Sequence, residues 1–481
     1  MSKQTEKGGF WSTPLAASAI KTDEVKMPEM LMGYLIGPFG ALLSSGIFTS
    51  FLNKYFTDVL LLDTSFLSAL QLVSTILIVA ANLIVGQLIE RTRCLAGKAR
   101  PWVLLSALTL SVASLLMFVV PFQNEMAKMV WIAIAYNLYY AVAYPIYNTA
   151  NSTLVPVSTR NSQQRGSLAS FTNIAGLGVM GVGSMIFPIL VSNVMGNSQP
   201  MWFLVMLAIA IFSALTIFLQ YKFTRERVTE ENMTSGDTQE NAAPPLGQQL
   251  KAVTSEKWWW VTILFYMVFQ WAGAMKNGSM SYFCQWVIDA TPLGGDWGVA
   301  QTLLSVMGAI PMAVAALFVV PLANKFGKRN LCFAGMVLGV VGGVIAGMGG
   351  SNIVPVAIGV ALKCLGSSPA CYLILAMLAD VIDHIEFKNG IRTDGLTMSI
   401  YSSLMVASTP IMNAVFMAML GSGYDAAATA QTAAVQSTIS ISYIWVETIA
   451  FAADALLVLL FTVEKNLPAE QAAIAERKKQ A

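Results

Sequence analysis

The sequence predicts an all-α membrane protein: twelve transmembrane helices in two six-helix halves, with both termini cytoplasmic. Three observations predict it. Twelve apolar segments cross the chain, each close to the roughly 20 helical residues that a bilayer core of about 30 Å requires. Lys and Arg gather in every second connection, as the positive-inside rule expects of cytoplasmic loops. A polar, acidic stretch, TEENMTSGDTQENAAPP, divides the segments six and six.

The first half starts after a cytoplasmic N-terminal segment, 1–29, and occupies 30–221. Its apolar segments are 30–52, 65–89, 101–122, 127–152, 168–192 and 201–221. Residues 222–257 form a cytoplasmic linker, too polar to bury itself. The second half, 258–463, holds 258–285, 298–322, 330–350, 353–379, 395–421 and 438–463, followed by a cytoplasmic tail, 464–481. The even connections carry Arg91, Arg93, Lys98 and Arg100; Arg160 and Arg165; Lys222, Arg225, Arg227, Lys251 and Lys257; Lys325, Lys328 and Arg329; Lys388 and Arg392. The odd connections hold only Lys54 and Lys128. Runs of glycine at Gly176, Gly178, Gly181 and Gly183, and at Gly339, Gly342, Gly343 and Gly347, predict close helix contacts.

Composition excludes several classes. The chain is 56% hydrophobic and only 11% charged, against about 25% charged in soluble domains. Basic residues follow topology instead of forming a nucleic-acid patch. The five cysteines lack metal-ligand spacing, and no metal or other cofactor is expected. His384, the single histidine, stands beside Asp380 and Asp383 in a predicted inner charge network. No catalytic set or phosphate loop is visible, so an enzyme or a phosphate-driven pump is not expected. No signal peptide is expected.

A weak internal repeat supports the two halves. Gly86 to Glu90-Arg91, continuing to Gly97-Lys98, matches Asn324-Lys325-Phe326-Gly327-Lys328-Arg329. Acids and bases so placed can cap helix ends and clip neighbouring helices in one conformation. Both stretches resemble the loop motif of the major facilitator superfamily, whose binding site lies near the membrane midplane between two related halves.

Three stretches narrow the resemblance. They are Tyr55-Phe56-Thr57-Asp58-Val59, then Glu90-Arg91-Thr92-Arg93 with Gly97-Lys98-Ala99-Arg100-Pro101-Trp102, and the charged run from Ala379 to Gly395. The run contains Asp380, Asp383, Glu386 and Arg392. Together they resemble the glycoside–pentoside–hexuronide:cation symporters of the melibiose-permease type, across nearly the whole chain. The resemblance implies a carrier in a bacterial-type plasma membrane that moves a glycoside with, or in exchange for, a cation. It implies a gating role for the charged stretches. It also implies a cation site on the second helix, built from acids one turn apart. Those positions are Ile78 and Asn82 here, while Leu42, Asn148 and Val406 replace other charged family positions. A neutral pair cannot balance Na⁺, which wants carboxylate and carbonyl oxygens. The fold is expected to carry over and the sodium site is not.

Ionisable residues inside a bilayer are costly and are functional candidates. The first half has none within its segments. The second has Lys276, Lys363, Glu447 and Asp454. Lys363 and Glu447 lie at matching depth, roughly 15 Å from the outer face. In one reading they are a structural pair, with Lys276 snorkelling to the outer interface. In the other, Lys276 and Lys363 meet an acidic, hexuronide-like substrate. Glu447 or Asp454 then serves as the coupling site, with H⁺ as the ion.

For the substrate, Tyr140, Tyr144, Tyr147, Asn148 and Asn151 fall on one face of an ideal helix in the fourth segment. Aromatic bodies with hydroxyl and amide tips suit sugars. Gln270, Trp271 and Asn277 on the seventh segment, and Ser402 on the eleventh, join the predicted site. Interhelical packing is the competing use for such groups. The leading expectation is a monomeric carrier of a glycoside or sugar conjugate. Two alternatives stand beside it: a carrier of an amphiphilic or lipid-like anion, and a non-transporting membrane sensor.

Overall fold

The computed structural model describes residues 17–92, 94–159, 161–230, 246–391 and 393–480. Arg93, Arg160, Arg392 and residues 231–245 of the predicted linker lie outside the described residues. The architecture is all-helical. In chain order the long helices are α1 (Glu29–Val59), α2 (Thr64–Arg91), α3 (Arg100–Leu116) and α4 (Glu125–Ser158). Then come α5 (Ser162–Leu190, continued by a π-helical turn Val191–Met195) and α6 (Gln199–Lys222). Beyond a short helix, Leu246–Thr254, lie α7 (Lys257–Trp286), α8 (Trp297–Phe326) and α9 (Lys328–Gly349). The last are α10 (Ile353–Asn389), α11 (Asp394–Leu420), α12 (Ala433–Leu460) and a tail helix Leu467–Gln480. Among the described residues, nine of these helices are long and apolar enough to cross a membrane. The 17-residue α3, α5 and α7 are not in that set. In α7 the charge and amides of Lys276, Gln270 and Asn277 dilute the apolar run.

Local chemistry sets the starts of the helices. Asp63, Asn124, Asp296 and Asn352 accept backbone N–H bonds at the first turns of α2, α4, α8 and α10, and Thr432 does so for α12. Each cap satisfies donors that no intrahelical carbonyl can reach.

Helices α1–α6 pack among themselves, as do α7–α12. Among the described residues, the main contacts between the groups are α1 with α7, α2 with α11, and α5 with α8. Exchanging the groups turns the α2–α11 pair into α8–α5, the relation expected of a pseudo-two-fold. The glycine run of α9 is a close contact, as predicted. A Cβ at Gly342 would stand 2.7 Å from the Gly359 carbonyl of α10, and one at Gly339 would stand 2.6 Å from the Phe451 ring of α12. The run on α5 differs: nothing lies within 4 Å of a Cβ at Gly176 or Gly181, and Gly178 and Gly183 make ordinary contact with Phe39 and Leu43.

One buried apolar cluster runs from α1–α6 into Tyr282 and Phe283 of α7 and Phe416 and Leu420 of α11. A second, with Tyr266, Cys332 and Ile374, stays within the α7–α12 group. The two groups therefore share a core near Asp58 and not near Glu90.

Candidate functional site

A cavity of about 930 Å³ lies between the groups. Asn82, Gln87, Glu90 and Arg91 of α2 line it, with Asn148, Thr149 and Ser152 of α4 and Ser402, Ser403 and Val406 of α11. Most of these side chains offer amide, hydroxyl or charged tips. Of the family's cation-site positions, Asn82 faces this cavity and donates its amide to the Ile78 carbonyl at 2.8 Å, whereas the Ile78 side chain is buried in packing.

The structure divides the predicted face of α4. A π-helical stretch, Leu138–Ala143, widens the helix there. One extra residue in a turn rotates the residues after it by about 100° relative to Tyr140, and in the regular helix beyond, Tyr147 and Asn151 share a face that Asn148 does not. Asn148 lines the cavity, but Tyr147 donates to Gln220 Oε1 of α6 at 3.2 Å, and Asn151 Oδ1 accepts from Gln220 Nε2 at 2.6 Å. Tyr140 and Tyr144 join an aromatic group with Tyr136 and Tyr139. Of the α7 candidates, Gln270 and Asn277 are half-buried, and Trp271 has a buried indole N–H without a partner.

Three predicted charges come together inside the α7–α12 group. Glu447 Oε2 lies 2.6 Å from Lys363 Nζ, and its Oε1 lies 3.0 Å from Lys276 Nζ. Lys363 also donates to the Ile444 carbonyl at 3.3 Å. The expected Lys363–Glu447 pair is present, and Lys276 turns inward to the same carboxylate instead of outward to the interface. The glycines of α9 let α10 and α12 approach closely enough for this triad to form. Asp454, on the same helix as Glu447, is fully buried with neither carboxylate oxygen bonded.

The sequence expectation of no ionisable group in the first six segments needs correction. Helix α1 runs to Val59, seven residues beyond the predicted 52, so Lys54 and Asp58 lie within it. Both are buried and pair at 2.7 Å. Lys54 also bonds Gln285 of α7, and its ammonium stands 4.9 Å from the Trp297 ring of α8. Thr57 bonds Tyr282 at 2.8 Å, and Tyr424, just past α11, donates to Asp58 at 2.7 Å. This network seals the end of the molecule opposite Glu90. Polar residues in an apolar helix end misled the boundary. Their spacing, Lys54 to Asp58 at i,i+4, is the signal that finds the pair.

At the cavity mouth Glu90 pairs with Lys98 at 2.6 Å, while Arg91 is exposed to the cavity. Arg100 donates to the Tyr221 and Ala96 carbonyls and stacks on the Tyr221 ring. Asp380 pairs with Lys328 at 2.6 Å, Asp383 accepts from Gln471, and Glu386 is buried. His384 Nδ1 lies 2.9 Å from Glu470 of the tail helix. Two residues escaped the sequence reading altogether. Glu226 accepts the backbone N–H groups of Lys98, Ala99 and Arg100 at 2.8–2.9 Å. Glu464 accepts those of Lys328 and Arg329 at 2.9 and 3.3 Å. The signal is a second repeat, Phe223-Thr224-Arg225-Glu226-Arg227 against Phe461-Thr462-Val463-Glu464-Lys465.

Residues 33–465 match the MFS/sugar transport protein family. The chain belongs to that family. Among its relatives is the isoprimeverose transporter of Lactiplantibacillus pentosus, 29% identical over 94% of this chain and 92% of that one. The glucuronide carrier protein homolog of Escherichia coli strain K12 is 22% identical over 82% of this chain and 84% of its own. A putative glycoside/cation symporter of the same organism is 24% identical over 86% and 87%. The fold matches a crystal structure of a D-xylose–proton symporter with a TM-score of 0.58 at 15% identity, covering 90% of this chain and 96% of that one. The inward-open xylose transporter of E. coli matches with a TM-score of 0.58 at 12% identity over 91% and 95%. The kinship with glycoside–cation symporters expected from the motifs is thus established. This MFS protein is a multi-pass membrane transporter of the sugar type and not an enzyme.

Proposed function

We propose that this MFS protein is a secondary carrier of a glycoside or sugar conjugate, working by alternating access and caught here open to the cytoplasm. The observation that carries the reading is the polar cavity of about 930 Å³, lined near Glu90 and Arg91 and shut at the far end by Lys54, Asp58 and Tyr424. The reading takes α1–α12 as twelve crossings of a bacterial inner membrane. The basic even connections and both tails lie in the cytoplasm, following the positive-inside rule. A monomer suffices, because the cavity lies between two helix groups of one chain. Recognition falls to Asn148, Ser152 and Ser402.

Coupling does not run through the family's sodium positions, since Asn82 and the buried Ile78 bring no carboxylate to balance the charge of Na⁺. Of the two acids considered for H⁺, Glu447 is engaged by two ammonium groups. Asp454 has no bond to give up, so it can take a proton without breaking an ion pair. The test is counterflow in proteoliposomes with isoprimeverose and a panel of neutral and acidic glycosides. Saturable exchange of any of them supports the reading. Absence of exchange across the panel by folded protein removes it.

A further inference from the structure

We propose that Asn82 is a substrate-binding residue whose amide, at the blind end of the cavity, engages two adjacent hydroxyls of an uncharged pyranose. The inference rests on the glycoside-carrier reading and deepens it, because it adds α2 to the recognition surface.

Depth singles out Asn82. The mouth lies at Glu90 and Arg91, the last residues of α2. Asn82 is the lining residue of α2 farthest from that mouth, roughly 14 Å along the helix from Arg91. One turn farther in, Ile78 is buried in packing and forms no part of the wall. Chain direction alternates with each crossing, so Asn148 and Val406 are the innermost lining residues of α4 and α11. The floor of the cavity is thus two amides and one apolar side chain. A pyranose presents the complement: hydroxyls at its edge and C–H groups on its face.

The amide of Asn82 is oriented before any sugar arrives. Its Nδ2 donates to the Ile78 carbonyl at 2.8 Å. The reverse orientation would set two oxygens against each other, so this bond assigns the amide. One N–H and Oδ1 remain. Among the described residues Oδ1 has no partner, and it is not shut away from solvent. A donor and an acceptor fixed side by side match two neighbouring hydroxyls, one accepting and one donating. Little rotamer freedom is left to lose on binding. The other polar groups are less prepared: Ser152 spends its proton on the Asn148 carbonyl at 2.8 Å, and Glu90 is held by Lys98. Asn148 stands close by, across the seam between α2 and α4. A Cβ at Gly86, one turn from Asn82, would lie 4.0 Å from Cγ2 of Thr149, the neighbour of Asn148.

The probes are the 4-nitrophenyl pyranosides of xylose, glucose and galactose, each with its 2-, 3- and 4-deoxy forms. Binding to the purified full-length protein is read by isothermal titration. For the best-bound sugar, two adjacent deoxy forms should each bind about fivefold to tenfold weaker. Asn82→Thr removes the amide and keeps the bond to the helix, as Thr75 and Thr153 bond the carbonyls four residues before them. It should leave thermal unfolding of the sugar-free protein unchanged and weaken the full sugar about tenfold. The two affected deoxy forms should lose less, since each has already given up one of the bonds. Parent affinity in Asn82→Thr, an equal loss for the full sugar and all its deoxy forms, or no adjacent pair of sensitive hydroxyls in the unaltered protein would each overturn the inference. Binding of none of the three pyranosides would overturn it too, while exchange of any other glycoside in counterflow would leave the carrier reading in place.

Discussion

Tyr424 donates its hydroxyl to Asp58 Oδ1 at 2.7 Å, a bond that joins the last turn of α1 to the segment beyond α11. Alternating access requires it to break each cycle. Tyr424→Phe should remove a bond to a charged acceptor, typically about 1.5–3 kcal/mol. The population should move toward an open far end. Spin labels on Leu61→Cys and Asp289→Cys, in the connections at that end, should report longer distances. An unchanged distribution would separate this bond from gating.

Glu447 holds two lysines, so its loss should cost more than either lysine's. Glu447→Gln leaves two buried ammonium groups side by side and should destabilise by about 3–5 kcal/mol. The paired change Glu447→Leu with Lys363→Met should recover part of that. Thermal unfolding in detergent reads both. A Glu447→Gln protein as stable as the parent would mean that the triad is solvated.

Glu226 sits where Gly97 turns with φ of +105°, and a Cβ there would collide with the Glu226 carboxylate. Gly97→Ala should therefore be as damaging as Glu226→Ala, which strands three backbone N–H groups. Each change should lose about 1–3 kcal/mol. The two should be non-additive in a double-mutant cycle, since they break the same contact. Additivity would mean that the glycine acts only through its backbone angle.

Replacement of external Na⁺ by choline should leave uptake unchanged, because Asn82 and Ile78 bring no carboxylate to α2. Sodium stimulation in sealed vesicles would contradict this and demand another site.

Asp296 caps α8 and accepts from Asn193 of the α5 extension at 2.6 Å. Partial burial alone would raise its carboxyl. Bonds from Ser192, Asn193 and the Gly298 and Val299 amides outweigh that and hold it below the ordinary carboxylate range. A depressed carboxyl contributes stability above its unfolded value and loses it as pH falls through the folded one. Acid below the usual aspartate range should loosen this end, and Asp296→Asn should flatten that part of the pH–stability curve. An Asp296→Asn curve that overlays the parent's would remove the contribution.

The helices were legible because apolar runs of bilayer length admit one backbone solution. The Lys363–Glu447 pair was legible because depth follows from counting residues along a helix. The α4 face was not: the π-helical stretch at Leu138–Ala143 puts Tyr140 out of phase with the residues after it, and within the regular helix beyond it Tyr147 and Asn151, one turn apart, take Gln220 as partner while Asn148 faces the cavity. The Lys54–Asp58 network was hidden because charge was read as the end of a helix. Only the tertiary partners Gln285, Trp297 and Tyr424 make those charges tolerable inside one.

Glu226 closes its clasp within α1–α6, and Glu464 closes an equivalent one within α7–α12. Neither clasp draws on the other group, and α6 is tied back to the start of α1 by the Arg227–Glu29 pair at 2.7 Å. Peptide continuity through 231–245 is then not what holds either inner end together. A chain built this way should be divisible: two separately translated polypeptides, meeting through α1–α7, α2–α11 and α5–α8, are expected to reconstitute what one gene encodes.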